Sequence, residues 1–277
     1  MKEFLKRHSL VIGILLMFLF TWPIDLSNSG VLPFKVPFAI YIFLGWGFIF
    51  ASLIMTRLTL GRDAIIVLLK RFLIWRVGWM WYPVAFFLIP ALNYLAILMN
   101  AVMTKTPIDF STVLAYEIFG PSANLLLLTV PFFLFDAIAN GEEMGWRGYV
   151  LPRLQAKYSA LIASLILSVI WAFWHVPKFV THWDTTTFLW FMVDEIAKAI
   201  LLTWMYNNTK GSLLLVTLFH ASFNTAGLLL PIANNLTDTN MNMRALISII
   251  EVIVAGIVVI YAGAERLSRT EPKQVQD

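Results

Sequence analysis

Six side chains in the second half of the chain have the types and spacing for acid–base chemistry. Glu142 and Glu143 are adjacent, and Arg147 stands four residues after the second. His175 ends an apolar run from Ala160 to Trp174, with Pro177 close behind. His220 and Asn224 stand four apart inside the apolar run 213–230. If the segment is helical, Glu143 and Arg147 share a face in the favourable order for an ion pair. Glu142 then points about 100° away. One carboxylate is held charged by the arginine, and the other is left to take or give a proton. His220 and Asn224 project from one helix face and need partners inside a bundle, because lipid offers none. Each cluster also has a plainer reading. The first could be a solvated loop, the second a helix-end hydrogen bond, and the third an interhelical clamp worth about 0.6 kcal/mol.

The surrounding sequence says where such groups would have to sit. Of 277 residues, 60% are hydrophobic and only 13% charged, against about 25% charged in a soluble domain. Mean hydropathy is +0.78. This excludes a soluble globular enzyme and a disordered chain. Cysteine is absent, which removes disulfide scaffolds, cysteine nucleophiles and thiolate metal sites. The net charge of +4 does not call for a nucleic-acid partner; its distribution matters more than its sum.

A helix crosses a bilayer with about 20 mostly apolar residues. The pattern predicts an all-α, polytopic membrane bundle of eight such segments, near 9–26, 37–56, 79–103, 122–140, 159–177, 186–206, 211–231 and 245–264. The first has a basic start at Lys2, Lys6 and Arg7 but no small-residue cleavage site, so it reads as a retained helix. Fifteen of the twenty Lys and Arg residues fall on one side of this layout: the N-terminus, 57–78, 141–158, 207–210 and the C-terminus. The other side holds Lys35, Lys105, Lys178 and Arg244, and Lys198 lies within a span. The positive-inside rule then expects both termini in the cytoplasm of a multi-pass plasma-membrane protein. With Glu142 just past the cytoplasmic end of the fourth segment, the site is expected in the cytoplasmic half of the bilayer. Residues 57–78 mix five cations with bulky apolar residues, which suits an interfacial helix or a basic connector. The polar tail from Ser268 to Asp277 is expected to be mobile. The whole reads as one membrane-embedded domain, 1–277, with a motif-bearing core at about 122–231.

An ionisable group at mid-membrane costs about 2.5–3.5 kcal/mol, so each needs a reason. Glu195 and Lys198, three apart, are expected to pair on one helix face. His8, His182 and Asp184 read as solvated groups. Glu251, one-third along the last segment, has no local partner, and its reason stays open. The eleven tryptophans read mainly as interfacial anchors.

Taken together and in order, the three clusters resemble the CPBP family of CAAX prenyl endopeptidases and bacteriocin-processing, Abi-like membrane proteins. The family pattern is E-E-x-x-x-R, then F-x-x-x-H, then H-x-x-x-N. The matching residues are Glu142, Glu143 and Arg147; His175; and His220 with Asn224. The stretches GEEMGWRGYVLPRLQ and WAFWHVP are similar to bacterial members. One position departs: Trp171 stands where the family commonly has phenylalanine. The likeness covers roughly residues 125–231.

Peptide hydrolysis needs an activated water, an oxyanion stabiliser and a donor to the leaving amine. The residues suit Glu142 as base, His175 orienting the same water, His220 and Asn224 as oxyanion donors, and Glu143 with Arg147 holding the segment in register. The resemblance implies the same roles in a glutamate-dependent intramembrane endopeptidase. Its substrate would be a membrane-associated peptide or protein, of CAAX-type prenylated or bacteriocin-like class. No cofactor is expected, although the family is often described as metalloproteases. A zinc alternative would draw on Glu142, His175 and His220. The expected partners are membrane lipids and that substrate. Two other readings of the same groups stay open: a proton- or ion-coupled transporter, and a silent scaffold or immunity protein.

Overall fold

The computed structural model describes residues 2–180, 184–232 and 241–269. His182 and residues 270–277 of the polar tail lie outside them. Every regular element among the described residues is helical. The first half holds α1 (Lys2–Arg7), α2 (Ser9–Asn28), α3 (Phe38–Gly45), α4 (Gly47–Thr59), α5 (Arg62–Lys70), α6 (Trp81–Thr104) and α7 (Leu114–Phe119). The second half holds α8 (Leu125–Ala139), α9 (Glu142–Gly145), α10 (Leu151–Gln155), α11 (Ala160–Trp174), α12 (Thr185–Asn208), α13 (Leu213–Leu229) and α14 (Met241–Ala262).

Short polar side chains start the later helices by accepting an otherwise orphaned N–H. Asn124 accepts from the Leu127 amide at 3.1 Å, Ser159 from Ile162 at 3.3 Å, and Ser212 from Leu215 at 3.2 Å. Asp184 accepts from the Thr187 amide at 2.6 Å, so it caps α12 rather than merely facing water.

Each of the eight expected segments is occupied by helix. Four stretches are individually long and apolar enough to cross a membrane: Ser9–Asn28, Trp81–Thr104, Ala160–Lys178 and Met243–Ala262. A fifth candidate is broken, Leu125–Ala139 continuing as Met144–Gln155 with a bend of 40°. The helix α12 carries Asp194, Glu195 and Lys198, while α4 and α13 are shorter than a full span. Large apolar side chains point outward along the bundle, among them Leu19, Phe87, Leu126 and Ile260. Such a surface is a lipid-facing one, and the chain is a membrane protein.

In the interior, α13 packs against α6, α8 and α12, while α12 packs against α11 and α14 and α2 packs against α4. Trp146, Tyr149, Trp171, Phe48 and Met17 fill the centre of this core. Glycine lets the elements approach there: a Cβ on Gly145 would stand 2.5 Å from Phe48 Cδ1 and 3.2 Å from Met17 Sδ.

The largest correction concerns 141–158, expected as a loop at the cytoplasmic edge. Asn140 leaves helical geometry, with ψ of 102°, and ends α8, but helix resumes at once. From Glu142 it runs through α9, a π-helical turn (Trp146–Val150) and α10. Residues 143–151 are all buried, so this is bundle interior and Arg147 is a core residue.

In 57–78, α5 and a 3₁₀ turn (Arg71–Leu73) form a basic segment with Ile66 and Leu69 exposed. It is docked rather than free. Arg71 donates to Tyr206 Oη at 2.8 Å, Ser212 to the Ile74 carbonyl at 2.6 Å, and Lys210 to the Arg76 carbonyl at 2.9 Å.

Candidate active site

The break at 140–141 aims the first carboxylate. Asn140 Oδ1 accepts the Glu142 backbone N–H at 2.9 Å, so the helix restarts with Glu142 in its first turn. Glu142 Oε2 then accepts two indole N–H bonds, from Trp171 at 2.8 Å and Trp146 at 3.2 Å. Oε1 faces His220 Nε2 at 3.9 Å, too long for a direct hydrogen bond. Its side chain keeps 14% exposure, against 1% for that of Glu143.

Glu143 turns the other way. Its Oε1 accepts from Arg147 Nη1 at 2.9 Å and meets His220 Nδ1 at 2.7 Å. The fully buried Arg147 guanidinium also lies 4.7 Å over the Trp171 ring. Trp171 thus holds both halves of the motif, its edge bonding Glu142 and its face carrying Arg147. The pairing of Glu143 with Arg147 follows from their spacing; the bond to His220 does not.

His220 is fixed from two sides. Glu143 occupies Nδ1, and Phe223 stacks on the ring with centroids 4.5 Å apart. With Nδ1–H donated to a carboxylate, Nε2 is the atom left facing Glu142. His175, at the C-cap of α11, engages Nδ1 with the Trp171 carbonyl at 3.0 Å. Its ring packs edgewise on Trp174 and Phe191, at 4.6 and 4.9 Å. Asn224, one turn after His220, spends its amide on Asp136, donating to both oxygens at 3.2 Å.

All six residues singled out by the sequence are therefore gathered around one point from α8–α10, α11 and α13. Four more belong to the same set: Asp136, Asn140, Trp146 and Trp171. Asp136 and Asn140 lie on the broken span itself, and Trp146 stands four residues after Glu142. That helical spacing was the available signal for the tryptophan. Trp171 bonds Glu142 through an N–H that phenylalanine lacks.

Two cavities meet at Glu142. One, of about 450 Å³, is lined by Glu142, His175, His220 and Asn224 and extends to Asp194, Glu195 and Asn93. The other, of about 500 Å³, runs past Ile24, Trp46, Phe135 and Ile138 and is more apolar. Asp136, Glu142, Lys178 and Asn224 line both.

The three residues of the zinc alternative, Glu142, His175 and His220, come from α9, the C-cap of α11 and α13 and line one cavity. Among the described residues, no three His, Asp or Glu side chains are drawn together into a ready-made metal-binding group.

The remaining ionisable residues differ from expectation. Lys198 pairs with Asp194, four residues before it, rather than with Glu195. The i,i+4 geometry brings the two head groups together on the side of α12 facing the cavity. Glu251 is fully buried on α14.

The fold and site define a class: an all-helical membrane protein with a carboxylate–histidine centre at a break in one span. Comparison with known proteins is more particular. Residues 122–226 match the family described as type II CAAX prenyl endopeptidase Rce1-like. The chain is also 32% identical over 154 residues to a curated CAAX prenyl protease 2 of Methanococcus maripaludis. That alignment covers 51% of this chain and 54% of the relative, so the chain spans about half the relative's length. Residues 122–226, the stretch similar to the Rce1-like endopeptidases, carry every motif residue.

Proposed function

We propose that this protein is an intramembrane endopeptidase that hydrolyses a peptide bond of a membrane-associated substrate by means of a glutamate-activated water. The observation that carries the reading is the orientation of Glu142. Two indole donors hold one of its oxygens, and the other faces His220 Nε2 across a gap that a water can bridge.

Each residue then has a task. Glu142 takes a proton from the water as it attacks the carbonyl, and returns it to the leaving nitrogen. His175 borders the same cavity and orients that water. His220, held in place by Glu143, lies where a proton on Nε2 would be donated to the oxyanion. Asn224 joins it on the same helix face, its amide oriented by Asp136. Arg147 fixes Glu143, and through Glu143 the histidine.

The curated relative is named a CAAX prenyl protease. A peptide lipidated near its C-terminus is therefore the first substrate class to try, with bacteriocin-like peptides next. The apolar second cavity is suited to a hydrocarbon chain beside the scissile bond. We take the protein to reside in the plasma membrane with both termini in the cytoplasm, on the positive-inside pattern of its Lys and Arg residues. Membrane lipids and this substrate are its partners, and no cofactor is assigned.

The test is to express wild type and Glu142→Gln at equal levels and map new peptide termini in the membrane fraction. Termini made only by wild type are expected, and they name the substrate. Identical profiles from two folded proteins would overturn the reading in favour of binding or transport. Hydrolysis by purified protein is expected to survive dialysis against a chelator. Loss restored by added zinc would overturn the metal-free chemistry.

A further inference from the structure

Apart from the two cavities at Glu142, the chain has a hollow of about 570 Å³ beside the basic segment 57–78. It is lined by Lys6 on α1, by Arg57, Leu58 and Thr59 at the end of α4, and by Leu60 and Gly61 in the turn that follows. The packing of α1 against α4 brings the two cations to one place. Gly61 makes the turn with φ of 104°, in the left-handed region that favours glycine, and α5 leaves from it.

Among the described residues, no carboxylate lines this hollow. The acids nearest in sequence, Glu3 and Asp63, lie outside its lining, and neither pairs with Lys6 or Arg57. Both cations are exposed, and among the described residues neither side chain has a hydrogen bond or an ion pair. The Thr59 hydroxyl donates to the Met55 carbonyl at 2.6 Å, so the two cations are the side-chain donors left. Like charges in one hollow repel, and an anion between them relieves that repulsion. The rest of the surroundings are apolar. Leu58 and Leu60 are 46% and 49% exposed, and Phe4, on the same short helix as Lys6, is 62% exposed. Along α5, Ile66 and Leu69 are exposed beside the cations Arg62 and Lys70. Such a surface suits the depth of lipid headgroups, with cations among phosphates and leucines among acyl chains.

We infer that this hollow is a binding site for an anionic phospholipid, its phosphate between Lys6 and Arg57 and an acyl chain along Leu58 and Leu60. The cations alone would suit a free phosphate ion as well; the exposed leucines in the same lining assign the site to a lipid. A zwitterionic lipid carries the same phosphate but brings an ammonium that both cations repel. Basic hollows between membrane helices hold anionic headgroups by contacts of this kind. The inference is independent of the endopeptidase reading, since neither cation lines a cavity at Glu142.

The test uses the full chain in a nonionic detergent, titrated with dioleoyl phosphatidylglycerol, dioleoyl phosphatidylcholine or inorganic phosphate, with bound molecules counted by native mass spectrometry. Wild type is expected to bind a first phosphatidylglycerol at least about fivefold more tightly than phosphatidylcholine, the factor that one cation near an anionic headgroup supplies. That preference is expected to vanish in the double variant Lys6→Gln, Arg57→Gln, to survive in Lys6→Arg, and to weaken as salt is raised. Lys157→Gln removes an exposed cation outside the hollow and is expected to leave the preference unchanged. Leu58→Ser with Leu60→Ser is expected to weaken the lipid and not inorganic phosphate. All the substituted side chains are exposed, so each variant is expected to fold. A wild type without preference, or an equal loss in Lys157→Gln and in the double variant, would reduce the hollow to diffuse surface charge and overturn the site. Inorganic phosphate that displaces the lipid, with the leucine variant binding lipid as wild type does, would assign the cations to a free ion and overturn the lipid.

Discussion

Glu142 is held by its neighbours more than by its own helix. Two indole N–H groups fix one carboxylate oxygen, which leaves the other to face His220. Exchange for glutamine keeps the shape and removes the base, and kcat is expected to fall on the order of 10²–10⁴-fold. Trp171 gives a finer test. Trp171→Phe keeps an aromatic face for Arg147 but loses the N–H bond to Glu142. A hydrogen bond to a charged group is worth about 1.5 kcal/mol, so kcat is expected to fall roughly tenfold with KM little changed. A drop of the same size in thermal stability instead would make Trp171 a packing residue only. The sequence singles out the six motif residues because each breaks an apolar pattern where polar groups need partners. It does not single out the indoles, because tryptophan also suits an interfacial belt, and no spacing shows which way an N–H points. Asp136 stood in the same run as the motif, but its bond to Asn224 joins residues 88 apart. Such a contact is fixed by packing, not by local pattern.

At the scale of elements, the break in one span does the positioning. The break at Asn140 and Gly141 restarts the helix at Glu142, across a bend of 40°, and the 100° between consecutive helical residues sends Glu142 and Glu143 to different partners. The close approach of α9 to α4 and α2 makes Gly145 the sensitive point. In Gly145→Leu the added side chain meets Phe48 and Met17, and a loss of about 1–3 kcal/mol is expected in reversible unfolding in mixed micelles. Unchanged stability would mean that α2 and α4 slide freely. A second prediction concerns pH at the start of α12. Hydrogen bonds from the Thr187 side chain and backbone hold the Asp184 carboxyl below its ordinary range. A folded-state value below the unfolded one stabilises the first turn above the ordinary carboxylate range, and that contribution fades as pH falls through the lower folded value. Hydrogen-exchange protection of the Thr187 and Phe188 amides is expected to drop in that acid range, and to be low at every pH in Asp184→Ala. Protection that ignores pH in wild type would assign the cap to backbone geometry. Hydropathy located the helical segments well. It misread 141–158, since charged residues that are paired inside a bundle look like loop residues when read singly.

At the scale of the whole molecule, hydrogen bonds decide which loops share an end of the bundle. Tyr149 bonds the Ser9 carbonyl, the Ala160 amide bonds the Glu265 carbonyl, and Asn207 and Asn208 bond the carbonyls of Arg266 and Leu267. With Arg71 on Tyr206 and Ser212 on Ile74, this knits the basic segments into one face. The cavities lie toward the other face. They are bordered by Ile24 and Asp25 late in α2, by Lys178 after α11, and by Ile118 in α7. If the basic face is cytoplasmic, as the positive-inside rule expects, the site opens away from the cytoplasm. That reverses the side inferred from treating 141 as the end of a span. Because the chain has no cysteine, single cysteines can test this directly. In intact cells, a membrane-impermeant maleimide is expected to label Lys35→Cys and Lys105→Cys and to spare Lys6→Cys and Lys157→Cys, all four positions being exposed. Ile118→Cys, 58% exposed at the cavity wall, is expected to follow the first pair. Labelling of Ile118→Cys with the first pair would mean that the peptide reaches Glu142 from the outer leaflet or beyond it. Labelling of Lys6→Cys and Lys157→Cys alone would invert the molecule, leave the site chemistry untouched, and make the substrate a cytoplasmic one.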